Sequence, residues 1–190
     1  MRRIEGRPLR ADARRNRDKI LSTAVVMFAR DGLDATLDGI AKEAGVGPAT
    51  LYRNFPTREA LIEAAYRSEL HKLCEASDEL LAALPPKEAL RAWMGRFLDY
   101  VGAKIGMADA LRALIATGVN PYDQTRDLMH AALTSLLDAG AADGSLRSDV
   151  AASDVAAGMT GIAIASGNPP RRDLAERLLD LLMDGLVATR

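Results

Sequence analysis

The chain has 190 residues, enough for one sizeable domain or a small domain joined to a larger one. Hydrophobic residues make up 48% and aromatic residues 4%, so a packed core is available, and with Ala and Leu dominating it is expected to be all-α. A net charge of −1 by itself argues against a nucleic-acid partner, but its distribution argues the other way: residues 1–58 carry 12 Lys/Arg against 7 Asp/Glu, and residues 59–190 carry 13 against 19.

Cys74 is the sole cysteine, which excludes an internal disulfide and suits a reducing compartment. The start, MRRIEGRPLR, has no apolar core of a secretory leader after it. The run Val155–Ala165 is too short and too Gly-rich to span a bilayer. A cytoplasmic protein without a membrane partner is expected.

In chain order, residues 1–13 form a charged arm broken by Gly6 and Pro8. It reads either as an untethered tail or as a segment that lies along DNA, with Arg7 or Arg10 near phosphates. Residues 14–31 form a helix with a buried stripe of Ile20, Ala24, Met27 and Phe28, closed by Gly32. Arg14, Arg15, Arg17 and Lys19 crowd the start of this helix, where the dipole does not favour cations. A partner anion would offset that; plain solvation is the alternative.

Residues 36–55 read as two short helices joined by a tight turn. Thr36 is a good N-cap and Asp38 suits the positive end of the helix it opens. Leu37, Ile40, Ala41 and Ala44 give an apolar face, and Gly45 stops the helix. Gly47 and Pro48 are N-cap and first position of the second helix. Leu51 and Phe55 face inward, while Ala49, Tyr52 and Arg53 share another face by their i, i+3, i+4 spacing. A small, aromatic and cationic face can approach a groove, and Arg can bond a guanine edge with two donors. An ordinary helical hairpin with a solvated Arg has the same spacing.

The segment IAKEAGVGPATLYRNFPTREAL resembles the helix-turn-helix signature of the tetracycline-repressor (TetR) family, strongly so over about residues 14–66. Gly47 stands where the family has Ser, Asn54 where His or Tyr is common, and Arg58 where Lys is usual. The resemblance implies a three-helix DNA-binding domain over 14–57 and a helical effector-binding and dimerisation domain over 58–190, about nine helices in all. It carries DNA contacts onto Arg17, Thr36, Gly47, Pro48, Ala49, Thr50, Tyr52, Arg53 and Arg58. Arg53 is the candidate for a base contact, and Pro48 and Ala49 for a thymine methyl. Thr36, Thr50, Tyr52 and Arg58 are the candidates for phosphates.

Beyond Pro56, Thr57 caps a helix over 58–83, which the resemblance makes the link between the two domains. Further helices are expected over 86–104 and 107–117, over 122–142 after the Asn120–Pro121 cap, and over 153–166 and 171–188. Trp93, Met94, Phe97, Tyr100, Met107, Leu111, Ile115, Met129, Leu133 and Met159 read either as core or as the lining of an adaptable effector pocket. Arg96, Arg112 or His130 could fix a polar group there. The resemblance pairs the last two helices of each subunit into a homodimer, for which Ala156, Met159, Thr160, Ala163, Leu174, Leu178, Leu181 and Leu182 are the candidate contacts.

No cofactor, metal or catalytic residue is expected. His71 and Cys74 lack a second pair for zinc, and Gly45-Val46-Gly47 lacks the strand that precedes a phosphate loop. The sequence therefore reads as a transcriptional regulator that binds a palindromic double-stranded operator as a homodimer and is released by a small molecule. An activator, a ligand-independent or architectural DNA binder, and an enzyme or carrier that keeps the motif as packing are the alternatives.

Overall fold

The computed structural model describes the backbone of residues 6–167 and 171–188 and the side chains of 12–167 and 171–188. Among the described residues the chain is all-α. The helices are α1 (Gly6–Asp31), α2 (Leu37–Glu43), α3 (Pro48–Asn54), α4 (Arg58–Ala83), α5 (Pro86–Gly106), α6 (Ala108–Ala116), α7 (Thr125–Ala142), α8 (Ala152–Ala165) and α9 (Arg172–Leu186). A 3-10 turn, Gly32–Asp34, joins α1 to α2.

Most helices start where local chemistry puts them. The Thr36 hydroxyl accepts the Gly39 amide at 3.1 Å, and the Thr57 hydroxyl accepts the Ala60 amide at 3.1 Å. Pro48 and Pro86 occupy first positions, where a missing N–H costs nothing. Two starts differ from expectation. Helix α1 begins at Gly6 rather than Arg14, so residues 6–13 of the expected arm are helical and Pro8 falls in the first turn, where it is tolerated. The rest of the arm, residues 1–5, and the side chains of Arg7 and Arg10 lie outside the described residues.

Helix α7 begins at Thr125 instead of Tyr122. Pro121 is buried, and the Lys104 ammonium sits 4.4 Å from the centre of the Tyr122 ring. These contacts hold residues 121–124 in a turn, closed by the Thr125 amide on the Tyr122 carbonyl at 3.1 Å. Gln124 adopts a left-handed φ of 61° to enter the helix, a conformation that costs a non-glycine residue about 1 kcal/mol or more.

The chain divides into two compact units, Met1–Ser68 with Gly106–Pro121, and Glu69–Ile105 with Tyr122–Arg190. The expected boundary at 57/58 moves, because Leu61, Ile62, Ala65 and Tyr66 of α4 are buried in the first unit and α6 joins it with Ala110, Leu111 and Leu114 buried. Gly106 permits this: a Cβ there would lie 2.7 Å from the Cβ of Ala29. Ile20, Ala24, Phe28, Ile40, Leu51 and Phe55 complete the core of this unit. Each of the Ile, Leu and Phe side chains removed from water contributes roughly 1.5–3 kcal/mol.

The second unit is built on Leu90, Trp93, Met94, Leu133, Leu136, Val155 and Leu179, all at most 1% exposed. Its end is sewn back by the Arg147 amide on the Leu186 carbonyl (3.0 Å) and the Ala188 amide on the Ser145 carbonyl (3.3 Å). Gly140 admits Leu146 to this unit, since a Cβ at 140 would stand 2.3 Å from the Leu146 Cδ1. Among the described residues no helix is long and apolar enough to cross a membrane.

Candidate nucleic-acid interface

Helices α2 and α3 form a tight unit around Ile40, Ala41 and Leu51, each fully buried, with Phe55 closing it at 2% exposure. Gly45 turns the chain at φ 67°, where an L side chain would be strained. Gly47, at φ −67° and ψ 144°, is the N-cap of α3 and offers no side chain to bond its amides. Asn54 bonds back along its own helix, its Nδ2 donating to the Thr50 carbonyl at 2.7 Å.

With Leu51 and Phe55 pinned inward, the opposite side of α3 faces solvent. Gly47, Pro48, Ala49, Tyr52 and Arg53 are exposed and Thr50 is half-buried. Arg53 forms no ion pair with any described residue, and neither do Arg14, Lys19 and Lys42. The Tyr52 phenol is raised in pKa by partial desolvation and by the Asp38 carboxylate, so it stays a neutral donor at physiological pH. Arg17 is exposed in the middle of α1, not at its start as expected, its guanidinium carbon 4.6 Å from the centre of the Phe55 ring. Thr36 is also exposed, with its hydroxyl already used as the cap of α2.

Arg58 departs from expectation. Its guanidinium is turned inward, donating to the carbonyls of Gly32 (3.2 Å), Leu33 (2.9 Å) and Ala35, and it lies over the Phe28 ring. Three of its five N–H donors are taken by backbone carbonyls, an inward arrangement different from the phosphate role expected of it. The remaining candidate contacts lie on α3, on the N-cap of α2 and on α1.

The amino-terminal part, residues 20–65, matches the family model described as bacterial regulatory proteins of the tetR family. Residues 85–188 match the model described as the SbtR-like transcriptional regulator C-terminal domain. This chain belongs to the TetR family. It is a DNA-binding transcriptional regulator and not an enzyme. The TetR transcriptional regulator SCO0520 from Streptomyces coelicolor is 60% identical over 92% of this chain and 99% of its own, with a TM-score of 0.87. The repressor KstR2 of Mycolicibacterium smegmatis is 30% identical over 141 residues, 70% of this chain and 69% of that protein. The uncharacterized regulator YerO of Bacillus subtilis is 30% identical over 113 residues, 57% of this chain but only 38% of its own length.

In the second unit of this TetR-family chain, the expected pocket residues do not all meet. Trp93 and Phe97 of α5, Met129 and Leu133 of α7, and Ala156 and Met159 of α8 surround one apolar cavity of about 10 Å³. Met94 and Tyr100 are buried but outside this lining, and Tyr100 lines a separate open groove with Glu69, Lys72, Leu73, Arg96 and Asp99. Met107 and Leu111 are buried in the first unit and Ile115 is 43% exposed there. None of the three expected polar anchors reaches the cavity. Arg96 pairs with Glu79, Arg112 pairs with Asp109 in the first unit, and His130 is exposed.

The expected dimer contacts also divide. Thr160 is exposed and Leu181 is 67% exposed, with Leu174, Leu178 and Leu182 half-buried. Met159 and Ala163 are buried, and half-buried Ala156 lines the cavity, so these three face their own unit. Helix α8 instead shows Ala157, Gly161 and Ile164, the last 75% exposed. Their spacing of four and three residues is a helical stripe that the sequence carried in plain view.

Proposed function

We propose that the protein is a homodimeric repressor that reads a palindromic operator with α3 and leaves it when a small molecule binds the second unit. The observation that carries this reading is the solvent-facing stripe Ala49, Tyr52 and Arg53 on a helix whose other side is locked by Leu51 and Phe55. One short reading helix covers few bases, so a two-fold pair is needed to read two half-sites about one helical turn apart. Ile164 on α8 and Leu181 on α9 are large apolar side chains left in water, which favours a second copy as their cover. The description of the KstR2 relative as a repressor supports repression over activation. A lone thiol and the absence of a long apolar helix among the described residues agree with a cytoplasmic location.

The effector site proposed is the seam of α5, α7 and α8. The one side-chain N–H among its lining residues, the Trp93 Nε1, already donates to the Leu73 carbonyl at 2.8 Å. The molecule it takes is therefore uncharged and largely apolar. About 10 Å³ is room for one water, so binding requires Met129 and Met159 to move, which their unbranched side chains allow. That opening is the conformational change a ligand would select, and a coupling of roughly 1–3 kcal/mol changes operator occupancy about 5–150-fold.

The test is selection of bound sites from random duplex DNA by the full chain, repeated with uncharged and with charged aromatic compounds. An inverted repeat bound by two protomers and released by uncharged compounds is the expected result. Recovery of no preferred sequence, or binding by single protomers, would contradict the reading.

A further inference from the structure

We infer that Arg58 is a positioning residue for DNA reading, which acts by holding the backbone link ahead of the helix-turn-helix; this rests on the DNA-reading role proposed above. Arg58 is half-buried in the first turn of α4. Its Nη2 donates to the Leu33 carbonyl at 2.9 Å and the Gly32 carbonyl at 3.2 Å, its Nη1 donates to the Ala35 carbonyl, and its guanidinium carbon lies 5.2 Å from the centre of the buried Phe28 ring. All three acceptors belong to the link between α1 and Thr36, the cap that starts α2.

Buried Ala35 anchors the end of that link and the turn also lies against α6, but the turn's own side chains hold it weakly. The 3-10 turn Gly32–Asp34 buries no side chain, Leu33 is 57% exposed, and Asp31 ahead of it gives no side-chain cap. Gly32 has a φ of 57°, which turns the chain away from the α1 ladder and presents its carbonyl sideways. A planar fork of donors stacked on an aromatic ring can gather three carbonyls at fixed angles. The entry of α2 is thereby fixed against the start of α4, and α3 follows because it packs on α2 and α1. Reading a groove demands such placement, since a shift of about 1 Å is enough to spoil a contact set. Lysine carries the same charge but has no fork, so it is not an equivalent here.

The experiment compares Arg58→Lys and Arg58→Ala with the wild-type chain, using the selected operator and a random duplex over a series of salt concentrations, with helicity and urea unfolding measured alongside. Both variants should bind the operator about tenfold more weakly, bind random DNA as the wild type does, and keep the same slope of affinity against salt. Restoration by Lys, together with a slope smaller by about one in the Ala variant, would make Arg58 a phosphate ligand and overturn the inference. Unchanged operator affinity with lowered unfolding stability would reduce it to a structural residue and overturn it as well. Should Arg58→Ala fail to fold, the Lys variant alone decides, because it keeps charge and stem. If the wild type shows no preferred operator, the failure lies with the regulator reading. Amide exchange over residues 33–40 then decides: faster exchange in Arg58→Lys supports the clamp, and unchanged exchange overturns it.

Discussion

Arg53 of the first unit and the pair Arg91 and Arg172 of the second are used in opposite ways. On α3, Arg53 is exposed and pairs with no described carboxylate. Between α5 and α9, Arg91 donates to Glu176 and to Asp180, each at 2.7 Å, while Arg172 donates to Glu176 at 2.7 Å and to Asp99. Partial burial works against the Glu176 carboxylate, but its bonds from Arg91 and Arg172 outweigh that and hold its pKa below the ordinary value. The lesson concerns what a cation is for. A charge matched within its own unit joins helices and presents nothing to a polyanion, whereas an unmatched one on a rigid face keeps its field available for phosphates or base edges.

Substituting Arg53 is the strongest way to break this contrast. Arg53→Ala should cost about 1–3 kcal/mol on the preferred operator and flatten sequence preference, leaving folding stability unchanged. Equal loss on operator and random DNA would show that Arg53 meets only phosphate. The matching change in the second unit, Arg91→Ala, should lower unfolding stability by about 1 kcal/mol, discounted for its partial exposure, and leave the salt slope of DNA binding alone.

The sign with pH follows from the depressed Glu176 pKa. The contribution of the clasp is present above the carboxylate's ordinary 4.5 and fades as pH falls through the lower folded value. Unfolding curves of wild type and Arg91→Ala should therefore converge in acid. A gap that persists there would assign the stabilisation to packing of the arginine stem.

A smaller effect is expected at Cys74. Burial, then the neighbouring Glu75 carboxylate, push its thiol up to about 11 from an ordinary 9.0. The folded state prefers the protonated thiol, so its contribution is complete below pH 9.0 and is lost as pH rises toward about 11. Alkylation at neutral pH should be slower than for a free thiol; fast labelling would place Cys74 in a more open environment than the one described. The smallest effect belongs to Gly47→Ser. A Cβ there meets nothing within 4 Å and the φ is ordinary, so a serine can cap α3 and stabilise the first unit by a few tenths of a kcal/mol. A thermal melt reads this, and a loss of stability would mean that the α3 start needs glycine for another reason.

How legible the molecule was depended on the range of the force involved. The starts of α2, α3, α4 and α5 follow from Thr36, Pro48, Thr57 and Pro86, whose effects reach only one helical turn. The exposed face of α3 was readable for the same reason, since Leu51 and Phe55 fix by spacing which side is left over. The start of α7 departs from the Asn120–Pro121 cap signal, because burial of Pro121 and the Lys104–Tyr122 contact override it. Met107, Leu111 and Ile115 have the same apolar character as Trp93 and Phe97, yet they fall in another unit. Hydrophobic periodicity says that a side is buried without saying against what.

The sequence alone settles the helical class, the helix-turn-helix and which residues of its second helix face solvent, because capping, glycine conformation and i, i+4 spacing are properties of neighbouring residues. Only the tertiary structure decided that Arg58 turns from solvent to three carbonyls, that Met159 looks inward while Ile164 looks out, and that the seam of α5, α7 and α8 is apolar. Those outcomes depend on which residues far apart in the chain come within a few ångströms, and packing sets that distance.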